Sequence, residues 1–183
     1  MSKIILITGA TDGIGKVTAR ELAALGHHVI IHGRNQQKAQ RVVNEIKTAT
    51  GNQHVSYLIA DLFSMKAIKH LVTNFNAKYD HLDVLINNAG AVLDAKRFEI
   101  DAGIEGTMAL NVMAPLLLSE LLLPKLRLSN DGRIINMSSA THRMAHPDMQ
   151  DLNLNQVDSG QTRYAISKLF VIWNTQHFAA RLQ

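Results

Sequence analysis

Short apolar runs alternate with segments of helical periodicity along almost the whole chain of 183 residues. The apolar runs are too short for helices and have no polar face, which is typical of strands covered on both sides. The segments between them repeat their apolar residues every three or four positions. The alternation predicts an α/β fold in which right-handed crossovers build a parallel sheet with helices on both faces. The predicted strands are 4–7, 29–31, 55–59, 84–86 and 134–137, and the predicted helices are 14–25, 36–46, 65–75, 103–126 and 162–182.

Composition fits one domain covering residues 1–183. Hydrophobic residues make up 46% of the chain and charged residues 19%, which argues against intrinsic disorder. Because the chain has no cysteine, disulfide frameworks and thiolate metal sites are excluded. The leucine-rich stretch 116–123 is interrupted by Ser119 and Glu120, so we expect no membrane span. Glycines begin directly after Thr8, where a secretory signal would still be apolar, so we expect a cytoplasmic protein.

The formal net charge of +4 does not indicate a nucleic-acid-binding protein. The basic residues are scattered along helix-like segments, without a continuous basic run or interleaved aromatic residues. The excess of basic residues lies in the N-terminal half, which suits an anionic small molecule. We therefore expect a small-molecule partner and no nucleic acid.

A glycine-rich turn directly follows the first predicted strand. Its sequence is Thr8-Gly9-Ala10-Thr11-Asp12-Gly13-Ile14-Gly15. In a dinucleotide-binding turn, Gly9 permits the tight bend, Gly13 lets the backbone approach a pyrophosphate and Gly15 lets the helix pack on the sheet. The N–H groups at the helix N-terminus then meet the phosphate charge. A P-loop is excluded, because Ala10 replaces its first glycine and Val17 its magnesium-binding hydroxyl. The turn, residues 8–15, predicts a Rossmann-type nucleotide-binding domain; a glycine turn without a ligand is the alternative.

The end of the second predicted strand indicates which nicotinamide cofactor binds. An NAD site usually has Asp or Glu about 20 residues beyond the glycines, to bind the ribose 2′-hydroxyl. Here Arg34 follows Gly33, and the next acidic residue is Glu45. A charge-assisted bond from Arg34 to the 2′-phosphate is worth about 1.5–3 kcal/mol. The sequence therefore predicts NADP(H), with NAD less favoured; a solvated arginine at a helix start is the alternative.

Together with further motifs, the chain resembles the short-chain dehydrogenase/reductase family, and most closely its retinol dehydrogenase/WW-domain oxidoreductase branch. The motifs follow the glycine turn in the family's order and cover almost the whole chain. They are Asp61-Leu62, Asn87-Asn88-Ala89-Gly90, Asn111, Ser138-Ser139 and Tyr164-Ala165-Ile166-Ser167-Lys168. The resemblance implies an oxidoreductase that interconverts a lipophilic ketone or aldehyde and its alcohol.

The resemblance also implies site residues. Asp61 would bind the adenine, and Asn88, Ala89 and Gly90 would line the adenosine ribose. The cofactor-binding set is Gly9, Thr11, Asp12, Gly13, Ile14, Gly15, Arg34, Asp61, Leu62, Asn88, Ala89, Gly90, Tyr164 and Lys168. The catalytic tetrad would be Asn111, Ser139, Tyr164 and Lys168, with a catalytic segment at 138–168. Ser139 is preferred because the family's catalytic serine is usually the second of the pair, and Ser138 remains the alternative.

These residue types suit carbonyl chemistry. Reduction creates an alkoxide that must be protonated, and Tyr164 can be the acid if its pKa falls from about 10 towards neutrality, which requires about 4 kcal/mol. Lys168 lies four residues later on the same predicted helix face. A positive charge about 4 Å away supplies roughly 4 kcal/mol at an effective dielectric of 20. Ser139 would donate a hydrogen bond to the carbonyl oxygen, and Asn111 would hold a water linking Lys168 to solvent.

The sequence departs from the family at its C-terminal side. Family members continue after the Tyr/Lys helix with further strands, whereas this chain ends at Gln183. We expect five strands in the order 3-2-1-4-5, without the C-terminal strands usual in the family. The fifth strand would then be an edge, and the last helix would lose apolar cover.

Two functions of different kinds stay open. One is the NADPH-dependent oxidoreductase, and the other is a dinucleotide-binding module or fragment without efficient turnover that acts through association. A homodimer through the helices around 115–126 and 162–182 is expected by analogy with the family. His142 and His146 stand one helical turn apart, but because no third ligand accompanies them we expect no metal site.

Overall fold

The computed structural model describes residues 2–93 and 96–182. Its five strands form a parallel sheet in the order β3-β2-β1-β4-β5, which confirms the predicted fold class and strand order. The strands are β1 Ile4–Ile7, β2 His28–Gly33, β3 Val55–Ile59, β4 Val84–Asn87 and β5 Arg133–Asn136. The longer helices are α1 Gly13–Ala24, α2 Gln36–Thr50, α3 Met65–Asn76, α5 Ala114–Leu126 and α6 Gly160–Arg181, with a short α4 at Gly106–Met108.

The hydrophobic core has one layer on each face of the sheet and a separate cluster around Val112, Ile166 and Phe170. Alternate residues of β1 point to opposite faces, so Leu6 belongs to one layer and Ile5 and Ile7 to the other. Leu6 packs in the layer that contains α3 and α5 side chains such as Phe75 and Leu118. The other layer is built from α1 and α2. Burial on both faces explains why the strand sequences are continuously apolar.

Polar side chains set where four of the helices begin. The side chains of Asp12, Asn35, Ser64 and Ser159 each accept a hydrogen bond from a backbone N–H in the first turn of the helix that follows. The second helix continues to Thr50, four residues beyond its predicted end, because the first glycine that can stop it is Gly51, with φ of 73°. Because residues 47–50 are mostly polar, apolar periodicity did not indicate that the helix continues through them.

The predicted helix 103–126 is divided into three elements. It begins only at Gly106, where Glu105 caps α4, and passes through a π-helical turn at Ala109–Met113 before α5. By length and hydropathy the segment Gly106–Leu126 could cross a membrane, but 56% of its most apolar window is buried inside the protein. Its side chains Ala114, Leu118 and Leu122 lie in the hydrophobic core. Asn111, predicted to be catalytic, lies in the π-helical turn.

The long segment 138–161 lies between β5 and α6. It contains one short 3-10 turn, Ala140–Met144, directly after Ser139. The last helix begins at Gly160, two residues before its predicted start. Tyr164 and Lys168 therefore lie in its first three turns, beside the carboxyl end of the sheet.

Candidate active site

The glycine turn brings the end of β1 against the segment after β4. Gly9 has φ of 64°, and a Cβ atom there would lie 2.9 Å from the Cα of Ala89. Any other residue at this position would be strained and would also clash with the backbone of the neighbouring segment. The carboxylate of Asp12 accepts from the backbone N–H of Gly13 at 2.9 Å and caps α1. The N-terminus of α1 is thereby held at the cleft, where the sequence predicted a phosphate.

A cleft of about 580 Å³ opens above the carboxyl ends of the strands. All fourteen residues predicted to bind the cofactor line it. They are Gly9, Thr11, Asp12, Gly13, Ile14, Gly15, Arg34, Asp61, Leu62, Asn88, Ala89, Gly90, Tyr164 and Lys168. A Cβ atom built on Gly13 would meet no atom within 4 Å, so the backbone of the turn faces open space. The residues present fit an elongated ligand with a phosphate at the turn.

The hydroxyl of Thr8 joins the ends of β1 and β4. Its Oγ1 accepts hydrogen bonds from the backbone N–H groups of Asn88 and Ala89, both at 3.0 Å. The side-chain amide of Asn88 donates back to the carbonyl oxygen of Thr8 at 2.9 Å. These bonds fix the floor of the cleft between its two halves. Thr8 is the first residue of the glycine-rich turn. Its role in joining the two strand ends depends on the pairing of β1 with β4, which sequence spacing does not show.

Arg34 lies at the rim of the cleft, directly after β2, and is exposed. Within residues 2–93 and 96–182 its guanidinium has no carboxylate partner. Lys38, one helical turn further along, pairs with Asp12 at 2.6 Å, and the pKa of that carboxyl lies below its usual value chiefly because Lys38 donates to it. Arg34 is therefore a cation at this rim that no carboxylate of the described residues neutralises.

His32 supports the glycine turn from below and was not singled out by sequence reasoning. Its Nδ1 accepts from the backbone N–H of Gly9 at 3.2 Å, so its Nε2 carries the hydrogen that is shared with the carbonyl oxygen of Ala60 at 3.1 Å. Burial lowers the pKa of His32 to about 4. A neutral imidazole thus ties the turn to the end of β3. The available signal was a histidine directly after the apolar residues 29–31 of β2.

Tyr164 and Lys168 lie on the same face of α6, as their spacing predicted. The Nζ of Lys168 is 5.4 Å from the centroid of the Tyr164 ring. It also donates to the carbonyl oxygen of Met137 at 2.8 Å, and the residue is 4% exposed. Burial lowers the pKa of Lys168. The lysine is therefore held in one position beside the phenol.

Asn111 and Gly90 pack against this lysine. A Cβ atom on Gly90 would lie 3.1 Å from both the Nζ of Lys168 and the Oδ1 of Asn111. The amide of Asn111 donates to the carbonyl oxygen of Ala91 at 3.1 Å and to the Oγ of Ser167 at 3.0 Å, while its Oδ1 accepts from the N–H of Ala91. Asn111 is 1% exposed and does not line the cleft itself. It ties α6 to the segment after β4.

The two adjacent serines have different hydrogen bonds. Ser138 lines the cleft, and its hydroxyl donates to the carbonyl oxygen of Lys168 at 2.8 Å. The Oγ of Ser139 accepts from the backbone N–H of Thr141 at 3.3 Å and from its hydroxyl at 3.0 Å. Ser138 therefore donates its hydrogen within the protein. Ser139 only accepts in these contacts and keeps its own hydrogen, but it does not itself line the cleft.

His142 and His146 lie in or just after the short turn that follows Ser139. The ring Nδ1 of His142 is 2.6 Å from the carbonyl oxygen of Ser139. Over the described ranges 2–93 and 96–182, no group of three or more His, Asp or Glu side chains is placed to hold a metal ion. The expectation of no metal site stays a prediction.

The sequence of this chain is similar to those of known dehydrogenases. The family model described as short chain dehydrogenase matches residues 3–151. Human polyprenol dehydrogenase is 42% identical over 179 residues, which cover 96% of this chain and 54% of that protein. Human retinol dehydrogenase 13 is 36% identical over 182 residues, which cover 99% of this chain and 55% of that protein. This chain thus spans about half the length of these curated relatives.

A solved structure extends the likeness to three dimensions. A short chain dehydrogenase from Shigella flexneri 2a str. 301, complexed with NADP, has a TM-score of 0.81 and 31% sequence identity. The match covers 99% of this chain and 72% of that one. The described residues therefore share the fold of a protein whose structure holds NADP.

Proposed function

Because the chain belongs to the retinol dehydrogenase-like branch of the short-chain dehydrogenase/reductase family, and is thus an NAD(P)-dependent oxidoreductase, we propose that it uses NADP(H) to interconvert a lipophilic ketone or aldehyde and its alcohol. One observation carries the proposal. The residues of the dinucleotide-binding turn and the Tyr164–Lys168 pair line a single cleft. A cofactor held by the turn and a substrate beside Tyr164 would share that space.

The proposed chemistry assigns each side chain a step. Bound NADPH supplies the hydride in reduction. Tyr164 donates its phenolic proton to the substrate oxygen as negative charge develops there, and it takes the proton back in the reverse reaction. The buried ammonium of Lys168 stabilises the phenolate that this transfer leaves. Ser139 donates a hydrogen bond to the same substrate oxygen.

NADP is the proposed cofactor because Arg34 is exposed at the rim of the cleft without a carboxylate partner in the described residues. The 2′-phosphate of NADP would give this guanidinium a charge-assisted bond. The Shigella relative in complex with NADP supports the same choice. NADPH is therefore expected to bind roughly 10- to 100-fold more tightly than NADH.

A lipophilic substrate is proposed from the loop 138–161, whose first residue, Ser138, lines the cleft. Met144, Met149 and Leu152 lie in this loop with 72%, 58% and 50% of their surface exposed. Val92, after the Asn-Ala-Gly segment, is also exposed. Exposed apolar side chains often mark surfaces that bind apolar ligands, although these four lie outside the lining of the cleft. The relatives named for polyprenol and retinol support this class.

The decisive test replaces Tyr164 with phenylalanine. Tyr164→Phe removes the proton donor and is expected to lower turnover by about 100-fold or more, while the dissociation constant of NADPH changes less than about threefold. Turnover is followed by NADPH absorbance with nonanal, all-trans-retinal, a ketosteroid and cyclohexanone, and binding by fluorescence titration with NADPH and NADH.

Tyr57→Phe is the matched control, because Tyr57 lies on β3, outside the cleft. Full turnover by Tyr164→Phe would contradict the role of this residue. A wild-type chain that binds NADPH but consumes none with any substrate would favour the alternative, a dinucleotide-binding module. The cytoplasmic location and the homodimer through helices 115–126 and 162–182 stay predictions.

A further inference from the structure

The hydroxyl of Thr141 is hydrogen-bonded to Ser139, the serine that is proposed to contact the substrate. Its Oγ1 donates to the Oγ of Ser139 at 3.0 Å, and the backbone N–H of Thr141 donates to the same oxygen at 3.3 Å. His142 holds the 3-10 turn that carries Thr141, because its backbone N–H and its ring Nδ1 both contact the carbonyl oxygen of Ser139. Ser139 and Thr141 are both half-buried.

The contact with Thr141 determines which hydrogen bonds Ser139 can still make. A serine hydroxyl has one hydrogen to donate and two lone pairs that accept. Both lone pairs of Ser139 are occupied by Thr141, so donation is the hydrogen-bonding capacity that remains. Ser138 has the opposite arrangement, because its hydrogen is already donated to the carbonyl oxygen of Lys168.

We propose that Thr141 is a positioning residue for the reaction: its hydroxyl makes Ser139 a dedicated hydrogen-bond donor to the substrate oxygen. The inference rests on the proposed function. Accepting from Thr141 prevents Ser139 from accepting from Tyr164 or water, so its hydrogen stays directed towards the substrate. Hydrogen bonds in a chain also polarise one another, so Ser139 becomes a stronger donor.

The effect is largest where negative charge develops on the substrate oxygen. That charge is greater in the transition state than in the bound carbonyl compound, so the contact raises kcat more than it lowers KM. Loss of one neutral hydrogen bond predicts a fall in kcat of about 3- to 12-fold. Cofactor binding does not involve this oxygen and stays unchanged.

The test compares Thr141→Val with Thr141→Ser. Valine keeps the shape and the backbone N–H but removes the hydroxyl, whereas serine restores the hydroxyl. We expect Thr141→Val to lower kcat 3- to 12-fold on the best aldehyde of the panel, with the KM and the NADPH dissociation constant within about twofold of wild type. Thr141→Ser is expected to regain most of the activity. Thr73→Val, at an exposed hydroxyl on α3, is the control.

A double-mutant cycle separates positioning from a general structural effect. In a Ser139→Ala background there is no hydroxyl to position, so adding Thr141→Val is expected to cause no further loss of kcat. The proposal is overturned if Thr141→Val alone has wild-type kcat, or if it lowers kcat equally in both backgrounds. A wild-type chain that reduces none of the panel overturns the proposed function and this inference with it; an active wild type matched by Thr141→Val overturns only the inference.

Discussion

At the scale of single residues, His32 couples the stability of the glycine turn to pH. Its pKa is lowered to about 4 because it is buried, whereas an exposed histidine in the unfolded chain titrates near 6.5. Between these values the unfolded state binds the extra proton. Folding is therefore most stable above about pH 6.5 and loses stability as the pH falls towards 4.

The prediction is a loss of about 2 kcal/mol in the free energy of unfolding between pH 7 and pH 5 that depends on His32. In His32→Gln the side-chain oxygen can still accept from Gly9 but does not titrate, so this part of the pH dependence is expected to disappear. Urea unfolding at both pH values measures it. His70→Gln, an exposed change on α3, should keep the wild-type dependence; an unchanged dependence in His32→Gln would contradict the assignment.

His32 is a residue whose role could not be predicted from the sequence. The fourteen predicted cofactor residues line one cleft, because the turn, the strand ends and the Tyr/Lys helix are each recognisable from local spacing. His32 and Thr141 were not recognised, because their partners, Gly9 and Ser139, are brought to them by strand pairing and by a 3-10 turn. Neither contact leaves a periodic or motif-like pattern in the sequence.

Among the secondary-structure elements, the segment after β4 was correctly predicted to be helical, but its division by a π-helical turn was not predicted. Its apolar residues continue through 106–126, so periodicity indicated one helix. The π-helical turn Ala109–Met113 places one extra residue in this run and turns Asn111 towards Ala91 and Ser167. That distortion depends on hydrogen bonds to neighbouring elements, which sequence periodicity does not report.

A buried ion pair joins this segment to the last helix. The Nε of Arg163 lies 3.3 Å from the Oε1 of Glu105, and both side chains are 1% exposed. Arg163 also donates to the carbonyl oxygens of Leu93, Val157 and Asp158. The arginine next to Tyr164 thereby fixes the loop before α6 and the segment after β4 on the same helix end.

We expect Arg163→Met to lower the free energy of unfolding by about 3–5 kcal/mol, because the Glu105 carboxylate would stay buried without its counter-charge. The double variant Arg163→Met/Glu105→Gln should lose less than the sum of the two single changes. Urea denaturation provides the values. Arg181→Met breaks the exposed pair with Glu120 and should cost at most about 1 kcal/mol; similar losses for both arginines would refute the role given to burial.

At the scale of the whole molecule, the two sides of the sheet are unequally protected. β3 and β5 are the edge strands of the described sheet. On the β5 side Ile135 is 44% exposed, and Trp173 on α6 is 39% exposed. The sequence predicted an edge at the fifth strand and reduced cover of the last helix, and the exposures of these two side chains agree with it.

An unpaired apolar edge favours pairing with another chain. We expect the wild type to self-associate as its concentration rises, and Ile135→Lys to weaken that association by at least about tenfold, because a lysine on an edge strand opposes pairing. Sedimentation velocity over a concentration series measures this, and NADPH titration should show unchanged binding. Leu25→Lys, at an exposed leucine after α1, controls for the added charge. If association persists in Ile135→Lys but is lost in Trp173→Ser, the contact lies on α6, as in the predicted homodimer. A wild type that stays monomeric at every concentration would contradict both arrangements.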